Sequence, residues 1–110
     1  MPHRSLGAHY SPRSVVDFVV GRTLGPALRN RRFSPDDPPR ICDPACGAGV
    51  FLQSTAARLD AWMRRQRPEV TARWRQTRIR WALHGADLNP EAIRETRAAL
   101  VGQGVGDPQL

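Results

Sequence analysis

The chain contains no lysine: all 17 of its basic residues are arginine. Against 10 acidic residues this leaves a formal net charge of +7 and a sequence pI near 11.3. Those values suit a polyanionic partner such as nucleic acid. A complete replacement of lysine by arginine is the mark of a genome-wide codon bias, so the charge permits such a partner without identifying one. Cysteine is nearly as scarce. Cys42 and Cys46 are the only two, and no histidine follows at zinc-ligand spacing, so they offer no metal site. Cys42 reads as a small buried strand residue. His3, His9 and His84 sit in unrelated contexts and form no catalytic constellation. No run approaches the ~18 apolar residues that read as a membrane span, and the N-terminus lacks the apolar core of a secretion signal. A cytoplasmic protein that meets no membrane is expected. There is no internal repeat, and no Gly-Lys-Ser/Thr that would mark a phosphate loop of the NTPase type.

What is present centres on Asp43-Pro44-Ala45-Cys46-Gly47-Ala48-Gly49. The preceding Ile41-Cys42 is short and apolar, and Leu52, Ala56, Leu59 and Met63 follow at helical spacing, so the glycines lie in a strand-to-helix turn. Gly47 and Gly49 let the chain turn sharply and bring backbone N–H groups close to a ligand, while the helix offers the positive end of its dipole to an anion. Leu52 stands where the dinucleotide fingerprint has its third glycine. Alone, Gly-x-Gly is equally an ordinary tight turn.

In company with the Phe51-Leu52 that follows, this stretch closely resembles the S-adenosylmethionine-binding motif of adenine-specific DNA methyltransferases, including those of restriction-modification enzymes. The resemblance implies that Asp43 helps to place the cofactor's amino group. It also implies that the Gly47 to Gly49 backbone, with Pro44 and Ala45 in the same loop, approaches the methionine half. His9-Tyr10-Ser11-Pro12 resembles the family's N-terminal Tyr-Thr-Pro element, which implies that the Ser11 hydroxyl contacts the cofactor's methionine carboxylate and counts Tyr10 beside it among the cofactor-binding residues. The same residues suit a helix start, with Ser11 as N-cap and Pro12 as first helical residue, and Val16, Val19, Val20, Thr23 and Leu24 continue an amphipathic helix.

A third segment, His84-Gly85-Ala86-Asp87-Leu88-Asn89-Pro90, fits the same order. Ile79, Trp81 and Leu83 alternate with Arg80, Ala82 and His84, which argues a strand ending near Asp87. An acid at the end of a second strand is placed to accept both ribose hydroxyls of a nucleotide-like ligand. Asp87 is therefore the best single cofactor residue, with an Asx-type turn as its plain alternative. By resemblance Leu88 packs on the adenine face. Asn89 caps the next helix, Pro90 starts it, Glu91 suits its positive end, and Ile93, Thr96 and Leu100 form its apolar face.

From the glycine loop to Asp87 the gap is about twice the usual ~20 residues. The excess between Asp60 and Arg80 reads as an extended helix end plus an exposed connection, whose arginines 64, 65, 67, 73, 75, 78 and 80 are available to phosphate. Gly102, Gly104 and Gly106 read as a flexible tail.

The fold class expected is α/β, the N-terminal part of a Rossmann-like S-adenosylmethionine-dependent methyltransferase with a parallel sheet left incomplete. Residues 1–35 form a cofactor-contacting helical segment and 36–110 two β-α units. The family's second motif, Asn/Asp-Pro-Pro followed by an aromatic that stacks on a flipped base, is missing. Asp37-Pro38-Pro39-Arg40 lacks the aromatic and precedes the glycine loop, so it reads as a loop. No catalytic or metal-binding residue is assigned. The expected function is that of a fragment of a site-specific adenine DNA methyltransferase, inactive alone, with DNA as substrate of the complete enzyme and a complementing methyltransferase or specificity polypeptide as partner. The alternatives are a fragment acting on protein or RNA and a non-catalytic basic module that binds nucleic acid.

Overall fold

The computed structural model describes residues 12–44 and 46–106. Among the described residues there are four helices and two short parallel strands: α1 Arg13–Arg29, β1 Ile41–Asp43, α2 Val50–Gln66, α3 Ala72–Ala82, β2 Leu83–Gly85 and α4 Pro90–Gly102. β1 pairs with β2 in register Ile41↔Leu83, Cys42↔His84 and Asp43↔Gly85. Parallel strands need a crossover between them, and here it consists of α2 and α3. The result is the α/β architecture expected for the opening part of a Rossmann-like fold.

α2 is the spine of the core. Leu52, Ala56, Leu59 and Met63 recur at helical spacing and each is at most 2% exposed. α1, α3 and α4 all pack against it. α1 contributes a narrower stripe than the sequence implied. Val16, Val20 and Leu24 are buried at i, i+4 and i+8, whereas Val19 and Thr23 are exposed. Ser54 on α2 donates to the Asp17 carboxylate on α1 at 2.7 Å, so a buried hydroxyl between the helices keeps a partner. Pro12, expected as the first helical residue, is instead the N-cap, with φ −55° and ψ 145°. Ser11 lies outside the described residues.

The expected strand over 79–87 is corrected. The chain is helical to Ala82, and strand geometry begins only at Leu83. Ile79, Trp81 and Leu83 fit a period of two, but Ile79, Ala82 and Leu83 also fit i, i+3, i+4. The second spacing describes what is buried: these three are at most 2% exposed, while Trp81 is 65% exposed. The long connection therefore contains a helix of its own. Thr71 caps it by accepting the Trp74 N–H at 3.1 Å. Arg75 joins it to α2 through Asp60 at 2.7 Å and also donates to the Val70 carbonyl at 3.2 Å. Arg78 and Arg67 both stack over the Trp74 ring, 4.0 and 5.4 Å from its centroid. Both arginines reach Asp36 in the loop before β1. That loop, residues 30–40, holds Asp36 to Pro39 as anticipated and contains a Ser34↔Asp37 bridge.

Two smaller readings also change. Cys42 is exposed and Cys46 is the buried cysteine; successive strand side chains point to opposite faces, and in β1 Ile41 and Asp43 are half-buried while Cys42 between them is exposed. Nor does the segment after α4 run free from its first glycine. Gly104, at φ +92°, ends the helix in a Schellman arrangement. Its N–H donates to the Val101 carbonyl and that of Val105 to the Leu100 carbonyl, both at 3.0 Å, with Val105 buried. Among the described residues no helix is long and apolar enough to cross a membrane.

If residues 72–82 are a capped helix, Thr71→Ala should lower the unfolding free energy by about 1 kcal/mol. Urea titration followed by circular dichroism should show a lower midpoint at unchanged slope. An unshifted midpoint would remove the cap from the account.

Candidate cofactor site

Parallel pairing brings the ends of β1 and β2 to the same end of the molecule, and two further hydrogen bonds carry the association past the strands. The Ala86 N–H donates to the Asp43 carbonyl at 3.0 Å, and the Cys46 N–H to the Ala86 carbonyl at 2.9 Å. The loop after β1 is thus held along the segment after β2.

Between these anchors the chain makes a tight turn, closed by the Gly49 N–H donating to the Cys46 carbonyl at 2.8 Å. Both glycines have positive φ, +53° at Gly47 and +86° at Gly49, the region that residues with a Cβ enter at a cost. Their surroundings differ. A Cβ on Gly47 would meet nothing within 4 Å, whereas one on Gly49 would stand 2.9 Å from the Thr96 methyl and 3.1 Å from its Cα. Gly49 lets α4 approach the loop; Gly47 leaves open space on the loop's outer side.

Asp87 ties the two strand ends together. One carboxylate oxygen accepts the Gly47 N–H at 3.0 Å, and the other the Asn89 N–H at 2.9 Å. The second bond is the Asx turn weighed from the sequence, and it coexists with the link to the glycine loop. A carboxylate has about four lone-pair sites, so these two bonds leave acceptor capacity for hydroxyl groups. Asn89 then caps α4 by accepting the Glu91 N–H at 3.0 Å. α2 begins differently: its N-cap is Gly49 and no side chain caps it. Its leading N–H groups, which have no partner within the helix, face the same turn.

Of the residues assigned from the sequence, Asp43, Gly47, Gly49, Asp87 and Leu88 come together at this end. Asp43 is half-buried at the tip of β1 and Pro44 exposed beside it. Leu88 is fully exposed, at 103%. Tyr10, Ser11 and Ala45 lie outside the described residues. Asp37 is at the opposite end, before β1, where it lines a separate groove of about 410 Å³ with Arg40, Trp81 and His84.

Sequence reasoning passed over Thr96 as one of an apolar stripe. It is fully buried, its hydroxyl donates to the Gly47 carbonyl at 2.7 Å, and the oxygen lies 3.6 Å from the Cys46 sulfur. The available signal was a hydroxyl residue within a buried stripe, since a buried hydroxyl requires a partner. Burial pushes the Cys46 thiol above its ordinary 9.0; the Thr96 hydroxyl opposes this, and the charges of Asp87 and Asp43 reinforce it.

Comparison with known proteins points to methyltransferases and supports a distant relationship to that class. Over 100 residues, 86% of this chain, the sequence is 29% identical to the adenine-specific methyltransferase PglX of Streptomyces coelicolor. The chain spans 8% of that relative's length. No protein-family profile matches the chain.

Two predictions follow from this geometry. Gly49→Ala should destabilise the fold by roughly 1–3 kcal/mol more than Gly47→Ala, because only the former adds a steric conflict to the backbone cost. Equal midpoint losses in urea would contradict the described approach of α4. For the cysteines, iodoacetamide at neutral pH should alkylate exposed Cys42 well before Cys46. The Cys46 contribution to stability has a defined sign: with the folded pKa raised, it is fully present below the thiol's unfolded value near 9.0 and is lost as pH rises through the folded value. Labelling of Cys46 at the rate of Cys42, read by peptide mass, would mean the thiol is not enclosed.

Proposed function

We propose that this chain forms the S-adenosylmethionine-binding part of a methyltransferase acting on adenine in DNA. The observation that carries the reading is the bond from the Gly47 N–H to Asp87, which joins the glycine turn after one strand to the acid after the next. Open space beside Gly47, an uncapped helix start and unused acceptor capacity on Asp87 suit a ligand with an anionic or acceptor group at one end and a hydroxylated ring at the other. S-adenosylmethionine has both, and bound there it supplies the sulfonium methyl group for transfer.

The chain's residues hold and orient. Asp87 accepts hydrogen bonds from ribose hydroxyls while keeping Gly47 in place. The exposed Leu88 side chain offers apolar area to the adenine ring. Asp43 takes the amino group, and the Gly47–Gly49 backbone meets the amino-acid half. Adenine in DNA is the preferred substrate because the Asp43 to Leu52 motif resembles that of adenine-specific DNA enzymes and because of the likeness to PglX. The sequence has no Asn/Asp-Pro-Pro-aromatic motif, so the groups that engage the target base come from elsewhere.

Calorimetric titration of S-adenosylmethionine into the 110-residue chain should give saturable one-to-one binding. Asp87→Ala should weaken it about 10- to 150-fold, the equivalent of roughly 1.5–3 kcal/mol for a charge-assisted hydrogen-bond pair. Absence of binding by the unsubstituted chain would reject the reading, and an unchanged affinity in Asp87→Ala would reject the ribose-binding role. Supplied with a polypeptide carrying the missing motif, the chain should direct labelled methyl groups into adenine of duplex DNA; incorporation into RNA or protein instead would replace the substrate.

A further inference from the structure

The turn Cys46–Gly49 is a β-turn whose central peptide joins Gly47 to Ala48. Turn families differ chiefly in how this central peptide is oriented, and it can rotate while the flanking residues stay almost still. Its direction decides whether the turn shows a ligand an N–H donor or a carbonyl acceptor. In this protein it is fixed from the interior. The Thr96 hydroxyl on α4 donates to the Gly47 carbonyl at 2.7 Å, and Thr96 is wholly buried. The peptide is trans, there being no cis bond among the described residues. In a planar trans peptide the C=O and the following N–H point to opposite sides. With the Gly47 carbonyl directed at α4, the Ala48 N–H is directed away from it, and Ala48 is exposed.

We propose that Thr96 is a positioning residue that sets the direction of the Gly47–Ala48 peptide, so that the glycine turn presents an N–H donor to an acceptor group on the amino-acid half of the cofactor. This rests on the cofactor-binding reading given above and adds to it the element that shapes the loop. Three contacts converge on the role. The hydroxyl holds the carbonyl, the Thr96 side chain and Cα lie within 3.1 Å of where a Cβ of Gly49 would be, and Asp87 holds the Gly47 N–H on the preceding peptide. Both peptides flanking Gly47 are therefore fixed, one by a carboxylate and one by a hydroxyl. A valine at 96 would have nearly the same shape but would leave the Gly47 carbonyl without its donor, so that reversing the peptide would no longer break a hydrogen bond.

The test compares Thr96→Val with Thr96→Ser, which keeps the hydroxyl, using S-adenosylhomocysteine and adenosine as ligands. Thr96→Val should bind S-adenosylhomocysteine about tenfold more weakly, the scale of one lost hydrogen bond. Its affinity for adenosine, which lacks the amino-acid half, should stay within about twofold, the experimental spread of one such comparison. Thr96→Ser should restore most of the loss. Equal binding of S-adenosylhomocysteine by Thr96→Val and the unsubstituted chain overturns the proposal. An equal loss for both ligands also overturns it, because the role would then be support of the whole site.

A measurement without ligand separates this proposal from the cofactor reading. In Thr96→Val the amide protons of Gly47 to Gly49 should exchange faster while those in the middle of α2 keep their protection; unchanged loop exchange overturns the proposal even if cofactor binding is established. If the unsubstituted chain binds no S-adenosyl compound, the cofactor reading fails, and with it the presented donor. If Thr96→Val does not fold, nuclear magnetic resonance of the unsubstituted chain decides: a slowly exchanging Thr96 hydroxyl proton coupled to the Gly47 carbonyl carbon is expected, and its absence overturns the assignment.

Discussion

The parallel pairing of β1 with β2 is the constraint from which the rest of the arrangement follows. Three residue pairs in register make a very short sheet, but parallel direction means that both strands finish at the same end. An antiparallel pair would have put the glycine turn and Asp87 at opposite ends. The pairing persists beyond the strands because Ala86 uses both its backbone groups, donating to Asp43 and accepting from Cys46. Through this peptide the turn after β1 and the acid after β2 acquire a fixed relation. The core serves the same relation: α2 starts at the turn, and the α2–α3 crossover returns the chain to the start of β2.

What could be read from the sequence divides along physical lines. The strand before the glycines, the helix after them and the Asn89-Pro90 start of α4 were legible because each combines a local chemical signal with a period that burial enforces. The ten residues before β2 were not, because Ile79, Trp81 and Leu83 satisfy a strand period and a helix period together, and short runs cannot separate the two. The deciding signal was Thr71 as a cap, with Ile79 and Ala82 sharing a face. Cys42 reads as buried from its residue type and its place in a strand, whereas β1 alternates, with Cys42 exposed between half-buried Ile41 and Asp43. At the site, Gly47, Gly49 and Asp87 announce themselves by residue type. Thr96 does not, since its role depends on a carbonyl almost fifty positions earlier, which only the fold brings near.

The arginine-rich segment shows how composition and structure can point apart. Seven arginines in one stretch suggest a surface for phosphate, yet Arg64, Arg67, Arg75 and Arg78 all meet carboxylates of Asp36, Asp60 or Glu69. Exposed pairs of this kind contribute little apiece. The Arg75–Asp60 pair differs in that the arginine side chain is only 13% exposed and also serves the Val70 carbonyl. Its geometry joins α3 to α2. Four of the seven arginines in this stretch thus already face carboxylates, and the number of arginines overstates the positive charge that meets no carboxylate there.

α4 brings the several contacts of the site under one element. Asp87 stands just before it, Asn89 caps it, and Thr96 lies in its second turn, so the two bonds that fix the peptides on either side of Gly47 both arise from this helix and its entry. The glycine turn has little stiffness of its own, since positive φ at Gly47 and Gly49 is bought by giving up side chains that could pack. Its shape is imposed from α4. A displacement of α4 relative to α2 would alter both Gly47 contacts at once, whereas loss of one contact leaves the other to restrain the loop. A ligand that occupies the remaining acceptor sites of Asp87 bonds to the same carboxylate that holds the Gly47 N–H and leads into the helix. On the proposed reading, ligand binding and loop order would then reinforce each other, because the ligand would bond to the carboxylate that already holds the Gly47 N–H.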